Sequence, residues 1–132
     1  MDKTTLTSFP YQQDAKKQFF PVIPLRFHLK TKTIDSTALI DSGATISVFR
    51  AEVASSLDLS IENGKEIYLG GVGGHIKGYI HELRVEIADK FFLCPIVFSH
   101  EYLVSFNLLG RTEFFKRYRI VFEEKKNLLK LE

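Results

Sequence analysis

The chain has 132 residues, 45% of them hydrophobic and 13% aromatic, with a formal net charge of +2, which is enough apolar material for one small core. Its longest apolar runs, Phe19 to Leu25 and Phe91 to Phe98, fall far short of the ~20 residues that cross a bilayer, and both contain proline, so no membrane partner is expected. Toward the end Lys116, Arg117, Arg119, Lys125, Lys126 and Lys130 are interleaved with Glu113, Glu123, Glu124 and Glu132, the pattern of a solvated face rather than a basic stripe, so nucleic acid is not an expected partner either.

Residues 1–18 are polar and are expected to form a flexible N-terminal arm, followed by one domain over 19–132. Met1-Asp2-Lys3-Thr4-Thr5 lacks the basic-then-apolar pattern of a secretory signal, and the lone Cys94 forbids an internal disulfide. Both features lead to the expectation of a cytoplasmic protein. Cys94 precedes Pro95 in an apolar run and reads as a buried structural thiol. From Phe19 the pattern becomes strand-like: Val22, Leu25, Phe27 and Leu29 lead to a polar turn over Thr31 to Asp35, and Thr37 to Asp41 forms a returning strand.

That strand ends in Ala38-Leu39-Ile40-Asp41-Ser42-Gly43-Ala44, which occurs once in the chain. Asp-Ser-Gly is common turn chemistry, and a structural loop is one reading of it. The other is chemical. A lone exposed Asp is ionised at neutral pH and serves only as a base, whereas amide hydrolysis also needs an acid for the leaving nitrogen. Two carboxylates about 3 Å apart cannot both ionise comfortably; they share a proton and offer base and acid together. With one such Asp per chain, the second would come from a second copy. Gly43 allows the close approach, Ser42 supplies a hydroxyl to fix the facing loops, and Ala44 leaves the adjoining pocket uncrowded.

Val53, Ala54 and Leu57 are spaced for a short helix over Arg50 to Leu57, and Ile61 to Lys65 reads as a turn. Next comes the glycine-rich stretch Tyr68 to Gly78, in which Gly70, Gly71, Gly73 and Gly74 surround Val72. It is a plain tight hairpin or, beside a catalytic loop, a lid that closes over an extended peptide. Ile76, Gly78 and Ile80 alternate in one phase and Leu83, Val85 and Ile87 in the other, which predicts a bulge or bend near His81 and Glu82. Phe91 to Phe98 forms a strand and Ser99 to Phe106 a loop along the cleft. Leu108 and Leu109 are expected to pack in the core, and Gly110 to permit the close backbone approach that starts a helix through Arg111 to Arg117. Arg119 to Phe122 and Leu128 to Leu131 form a terminal hairpin around a charged turn. His28, His75, His81 and His100 lack metal-ligand spacing, so no metal and no cofactor is expected; His75 is singled out only by its place in the flap.

The Asp-Ser-Gly-Ala loop, the glycine-rich hairpin and Leu108-Leu109-Gly110, in this order, resemble the retropepsins, the retroviral-type aspartic proteases, over residues 20 to 131. The resemblance implies a mainly β, single-domain acid-protease fold: a closed, barrel-like sheet with a flap hairpin and one or two short helices. It implies an aspartic endopeptidase that is active as a homodimer on extended peptide or protein substrates. Asp41 would be catalytic, with Ser42, Gly43 and Ala44 its loop. Gly71, Val72, Gly73, Gly74 and His75 would form the substrate-binding flap, and Leu108, Leu109, Gly110 and Arg111 the structural support. The short helix after the loop, and Thr45 where viral enzymes usually place an acid that pairs with the equivalent of Arg111, bring the pattern nearer to cellular retropepsin-like domains such as those of the DNA-damage-inducible ubiquitin-shuttle proteins. The alternative is a catalytically inactive dimeric peptide-binding or scaffold module that keeps the fold.

Overall fold

The structure, a computed structural model, describes residues 6–71 and 74–132. In chain order the strands are β1 (Thr7–Pro10), β2 (Gln12–Gln13), β3 (Phe19–Phe20), β4 (Val22–Leu29), β5 (Lys32–Ile40) and β6 (Ser47–Arg50), after which comes the helix α1 (Ala51–Ser56). They continue as β7 (Lys65–Gly71), β8 (Gly74–Ile87), β9 (Lys90–Ser99), β10 (Leu108–Leu109), β11 (Ile120–Glu123) and β12 (Leu128–Leu131). The preference for strand has a local cause visible in β4: Ile23, Leu25 and Phe27 are buried on one face while Pro24 and Arg26 are exposed on the other. Both prolines within long strands lie where a missing N–H is tolerated. Pro24 precedes the Arg26 to His28 stretch where β4 has neighbours on both sides, and Pro95 precedes the point at which β9 picks up β6.

Seven strands form one sheet in the order β4-β5-β10-β6-β9-β8-β7, and β4 pairs again with β8, so hydrogen-bonded strands run in a ring with the β7–β8 hairpin projecting from it. Short β10 is the wedge. It runs parallel to β5, with Leu108 opposite Leu39 and Leu109 opposite Ile40, and antiparallel to β6, with Leu108 opposite Val48. The main core gathers Phe27, Phe49, Phe98, Phe114 and Leu109, and a smaller cluster of Val48, Val97 and Tyr102 packs with Ile46, Ile67, Leu69, Ile76, Ile80 and Leu108 beside the hairpin. The fold is mainly β, as the sequence predicts, and α1 lies within the expected Arg50–Leu57 helix.

Three local expectations differ. Within the segment read as a loose arm, β1 pairs along its length with β12, and Tyr11 is buried with its hydroxyl donating to Glu124 Oε2 at 2.7 Å. The half-buried Phe9 packs on the main core there, an apolar contact that a polar average conceals. No bulge interrupts β8 near His81: its register with β9 is continuous from Tyr79 opposite Phe98 to Ile87 opposite Lys90. The phase of the apolar residues changes because the strand leaves one cluster for another, Ile76 and Ile80 facing the smaller and Leu83, Val85 and Ile87 the larger. Finally, the expected helix over Arg111 to Arg117 is reduced to a single 3-10 turn at Phe115–Arg117, because Glu113 takes a left-handed φ of 65° that interrupts any helix.

Candidate active site

Strand β5 delivers Asp41 to the floor of a cleft of about 620 Å³ whose roof is the β7–β8 hairpin. The carboxylate is set by its own loop. Gly43 N–H donates to Asp41 Oδ1 at 2.9 Å, and Ala44 N–H donates to the Asp41 carbonyl at 3.2 Å. A Cβ on residue 43 would stand 3.2 Å from that same Oδ1, so glycine is what lets the backbone amide reach the carboxylate. Ser42 is exposed at the rim, and Ala44 lines the cleft.

The loop is clamped from below by the distant Leu108 to Thr112 segment. Asp41 N–H donates to the Leu109 carbonyl at 3.0 Å, Arg111 N–H to the Ala44 carbonyl at 2.9 Å, and Thr112 N–H to the Thr45 carbonyl at 2.8 Å. Gly110 fits because a Cβ there would lie 2.6 Å from the Ile46 carbonyl carbon and oxygen. Arg111 supports the loop through its backbone while its side chain is exposed. Asn107 adds a bracket that sequence reasoning passed over. Its Oδ1 accepts the Arg50 N–H at 2.8 Å, its Nδ2 donates to the Thr37 carbonyl at 3.0 Å, and its own carbonyl accepts the Leu39 N–H at 2.8 Å. One side chain thereby joins β5 to the start of α1.

Of the flap residues named from sequence, Gly71 and Gly74 line the cleft, Gly74 with a left-handed φ of 119°, while Val72 and Gly73 lie outside the described residues. His75 is exposed and absent from the cleft lining, its ring lying across the hairpin from Gly70. Leu108 lines the cleft and Leu109 is buried below it. The walls not named one by one from the sequence are Ile46, Val48, Tyr68, Leu69 and Ile76, whereas Tyr102 to Val104 belong to the loop expected along the cleft and do line it. Tyr102 donates its hydroxyl to the Phe106 carbonyl at 2.7 Å, and burial, with the Asp41 charge adding to it, pushes its ionisation up to about 12. It is a neutral wall, not an acid or base, near neutrality. Ile46, Val48, Tyr68, Leu69 and Ile76 come from separate segments of the chain, and only alternating apolarity marked them. Among the described residues no group of His, Cys, Asp and Glu is arranged to hold a metal ion. None of their helices is long and apolar enough to cross a membrane.

Two solved proteases superpose on this fold. A retropepsin-like aspartic protease from Rickettsia conorii superposes with a TM-score of 0.68 over 98% of this chain and 100% of its own, at 16% sequence identity. EIAV protease, complexed with the inhibitor HBY-793, superposes with a TM-score of 0.53 over 70% of this chain and 82% of its own, at 18% identity. The chain has the retropepsin-like acid-protease fold. No family model and no curated protein sequence matches it.

Proposed function

We propose that this protein is an aspartic endopeptidase, active as a homodimer in which Asp41 of each copy supplies one half of a catalytic pair. The observation that carries this reading is the setting of Asp41: a strand-end carboxylate, oriented by the Gly43 amide, on the floor of a peptide-sized cleft beneath a hairpin roof. One such carboxylate per chain explains why a second copy is required.

The chemistry follows from the pair. The ionised Asp41 accepts a proton from a water held between the two carboxylates as that water attacks the peptide carbonyl. The protonated Asp41 polarises the carbonyl oxygen, and a proton then passes to the leaving nitrogen. No covalent intermediate forms. Ser42 orients the facing loops, and the backbone around Gly43, Gly71 and Gly74 offers hydrogen bonds to an extended substrate.

Incubation with a peptide library, cleavage sites being identified by mass spectrometry, tests the proposal. Asp41→Asn is expected to abolish cleavage while far-UV circular dichroism and sedimentation remain those of the wild type. A purified, active Asp41→Asn protein would overturn it. If wild-type protein binds peptides in the cleft but never cuts them, the peptide-binding module is the correct reading.

A further inference from the structure

The described lining of the cleft carries two charged side chains, Asp41 and Glu101, and no Lys, Arg or His. Glu101 follows β9 in the loop that forms one wall. It is held on a short rail of hydrogen bonds: its N–H donates to Ser99 Oγ at 3.1 Å, Ser99 Oγ donates to the Lys77 carbonyl at 2.5 Å, and Lys77 N–H donates to Glu101 Oε2 at 3.0 Å. Lys77 lies just before β8 begins to pair with β9 at Tyr79, so these two side chains extend the ladder toward the flap. The carboxylate is thus fixed in place before any substrate arrives, which lowers the entropy cost of a partner using it.

Among the described residues no Lys, Arg or His forms an ion pair with Glu101. The Lys77 ammonium lies over the Tyr79 ring and faces Glu66 at 3.6 Å, and Arg50 Nε is directed to Glu52 at 3.2 Å. Oε1 of Glu101 carries no hydrogen bond among the described residues. Beside it, Leu103 and Val104 are 83% and 52% exposed and form an apolar wall. An apolar wall ending in a fixed carboxylate matches a side chain with an aliphatic stem and a cationic head.

We propose that Glu101 is a specificity-determining residue that gives the cleft a preference for Lys or Arg at one position of the substrate. The inference rests on the cleft being a peptide site, as proposed above, and assigns its substrate class: extended apolar peptides that carry a basic residue.

The test uses full-length protein carrying Asp41→Asn, to prevent turnover, and apolar peptides in which Lys or the isosteric norleucine is scanned through each position. Fluorescence anisotropy measures affinity. At one position the Lys peptide is expected to bind about two- to tenfold more tightly, the range of a partly solvated ion pair, with the ratio shrinking as salt is added. Glu101→Gln, which keeps an acceptor for the Lys77 N–H and removes the charge, is expected to bring the ratio to about one. Peptides that bind with no Lys preference at any position, or a preference that survives Glu101→Gln, overturn this assignment and leave the protease reading standing. Failure of every peptide to bind overturns both.

Discussion

Ser47 and Gly110 meet in the interior beneath the Asp41 loop, the Gly110 N–H donating to the Ser47 hydroxyl oxygen at 3.0 Å with both residues buried. Ser47→Ala removes the acceptor and strands a buried amide, which is expected to cost about 1–3 kcal/mol of stability. A shift of the urea midpoint at unchanged slope measures it; a loss below a few tenths of a kcal/mol would show that the amide finds another acceptor.

Gly110→Ala is expected to be worse. The new Cβ would fall 2.6 Å from backbone atoms of Ile46 and 2.8 Å from the Ala44 carbonyl oxygen, none of which can swing aside. Moving β6 or the loop costs about 3 kcal/mol or more. Soluble yield and thermal midpoint check this, and a variant of wild-type stability would contradict the close packing of residue 110.

The proposed sharing of one site between two chains makes a stoichiometric prediction. Mixing wild-type and Asp41→Asn chains in equal amounts, with time to exchange, leaves about half the activity of the wild type alone, because mixed dimers hold a single competent Asp41. Full retention of activity after demonstrated exchange would place the whole site within one chain.

The β8–β9 connection is a two-residue turn at Ala88 and Asp89 in which both residues take left-handed φ, 46° and 65°. Such turns prefer Asn-Gly or Asp-Gly, and an L side chain there pays for its Cβ. Asp89→Gly relieves a left-handed strain of about 1–2 kcal/mol and loses about 0.5–1 kcal/mol to the freer unfolded chain, so a net stabilisation of up to about 1 kcal/mol is expected. Its thermal midpoint decides the matter, and a fall would mean that Asp89 makes a contact worth more than the relief.

Four buried acids set an alkaline limit, Tyr118 among them because burial raises its hydroxyl too. Burial raises the Cys94 thiol from 9.0 to about 12. Burial first, then the hydrogen bond to Glu124, raises Tyr11 from 10.0 to about 12, and burial first, then the Asp41 charge, raises Tyr102 over the same interval. A folded-state value above the unfolded one means the stability is fully present below the unfolded value and is lost as pH rises toward the folded one. The urea midpoint is therefore expected to hold up to about pH 9 and to fall between about 9 and 12, with Cys94→Ala moving the onset toward about 10. A midpoint that stays flat across this interval would contradict the burial of these groups.

What the sequence made legible was whatever local chemistry marks: the apolar strand that stops at Asp41, the glycines of the hairpin, the Leu108-Leu109-Gly110 segment and the terminal hairpin. The β8–β9 turn stayed hidden because Ala88-Asp89 lacks the Asn-Gly signature and tertiary packing holds it instead. The same holds for Glu113, whose left-handed backbone is compatible with ion pairs to Lys116 at 2.7 Å and Arg117 at 2.8 Å and carries no glycine to announce it. β8 misled for another reason: alternation reports which face is buried, and this strand changes the cluster it serves without changing register. The cleft walls at Val48, Ile76 and Leu103 become neighbours only through strand pairing, so no window of sequence contains them.

The wedge of β10 between β5 and β6 gives the active loop a late appointment. Thr112 donates its hydroxyl to the Thr45 carbonyl across 67 residues of chain, and the Asp41 amide waits on Leu109 in the same way. A chain still emerging from the ribosome has made its carboxylate long before it has made the clamp that orients it. Protein synthesis thereby withholds an organised Asp41 loop until residues 107–112 have emerged.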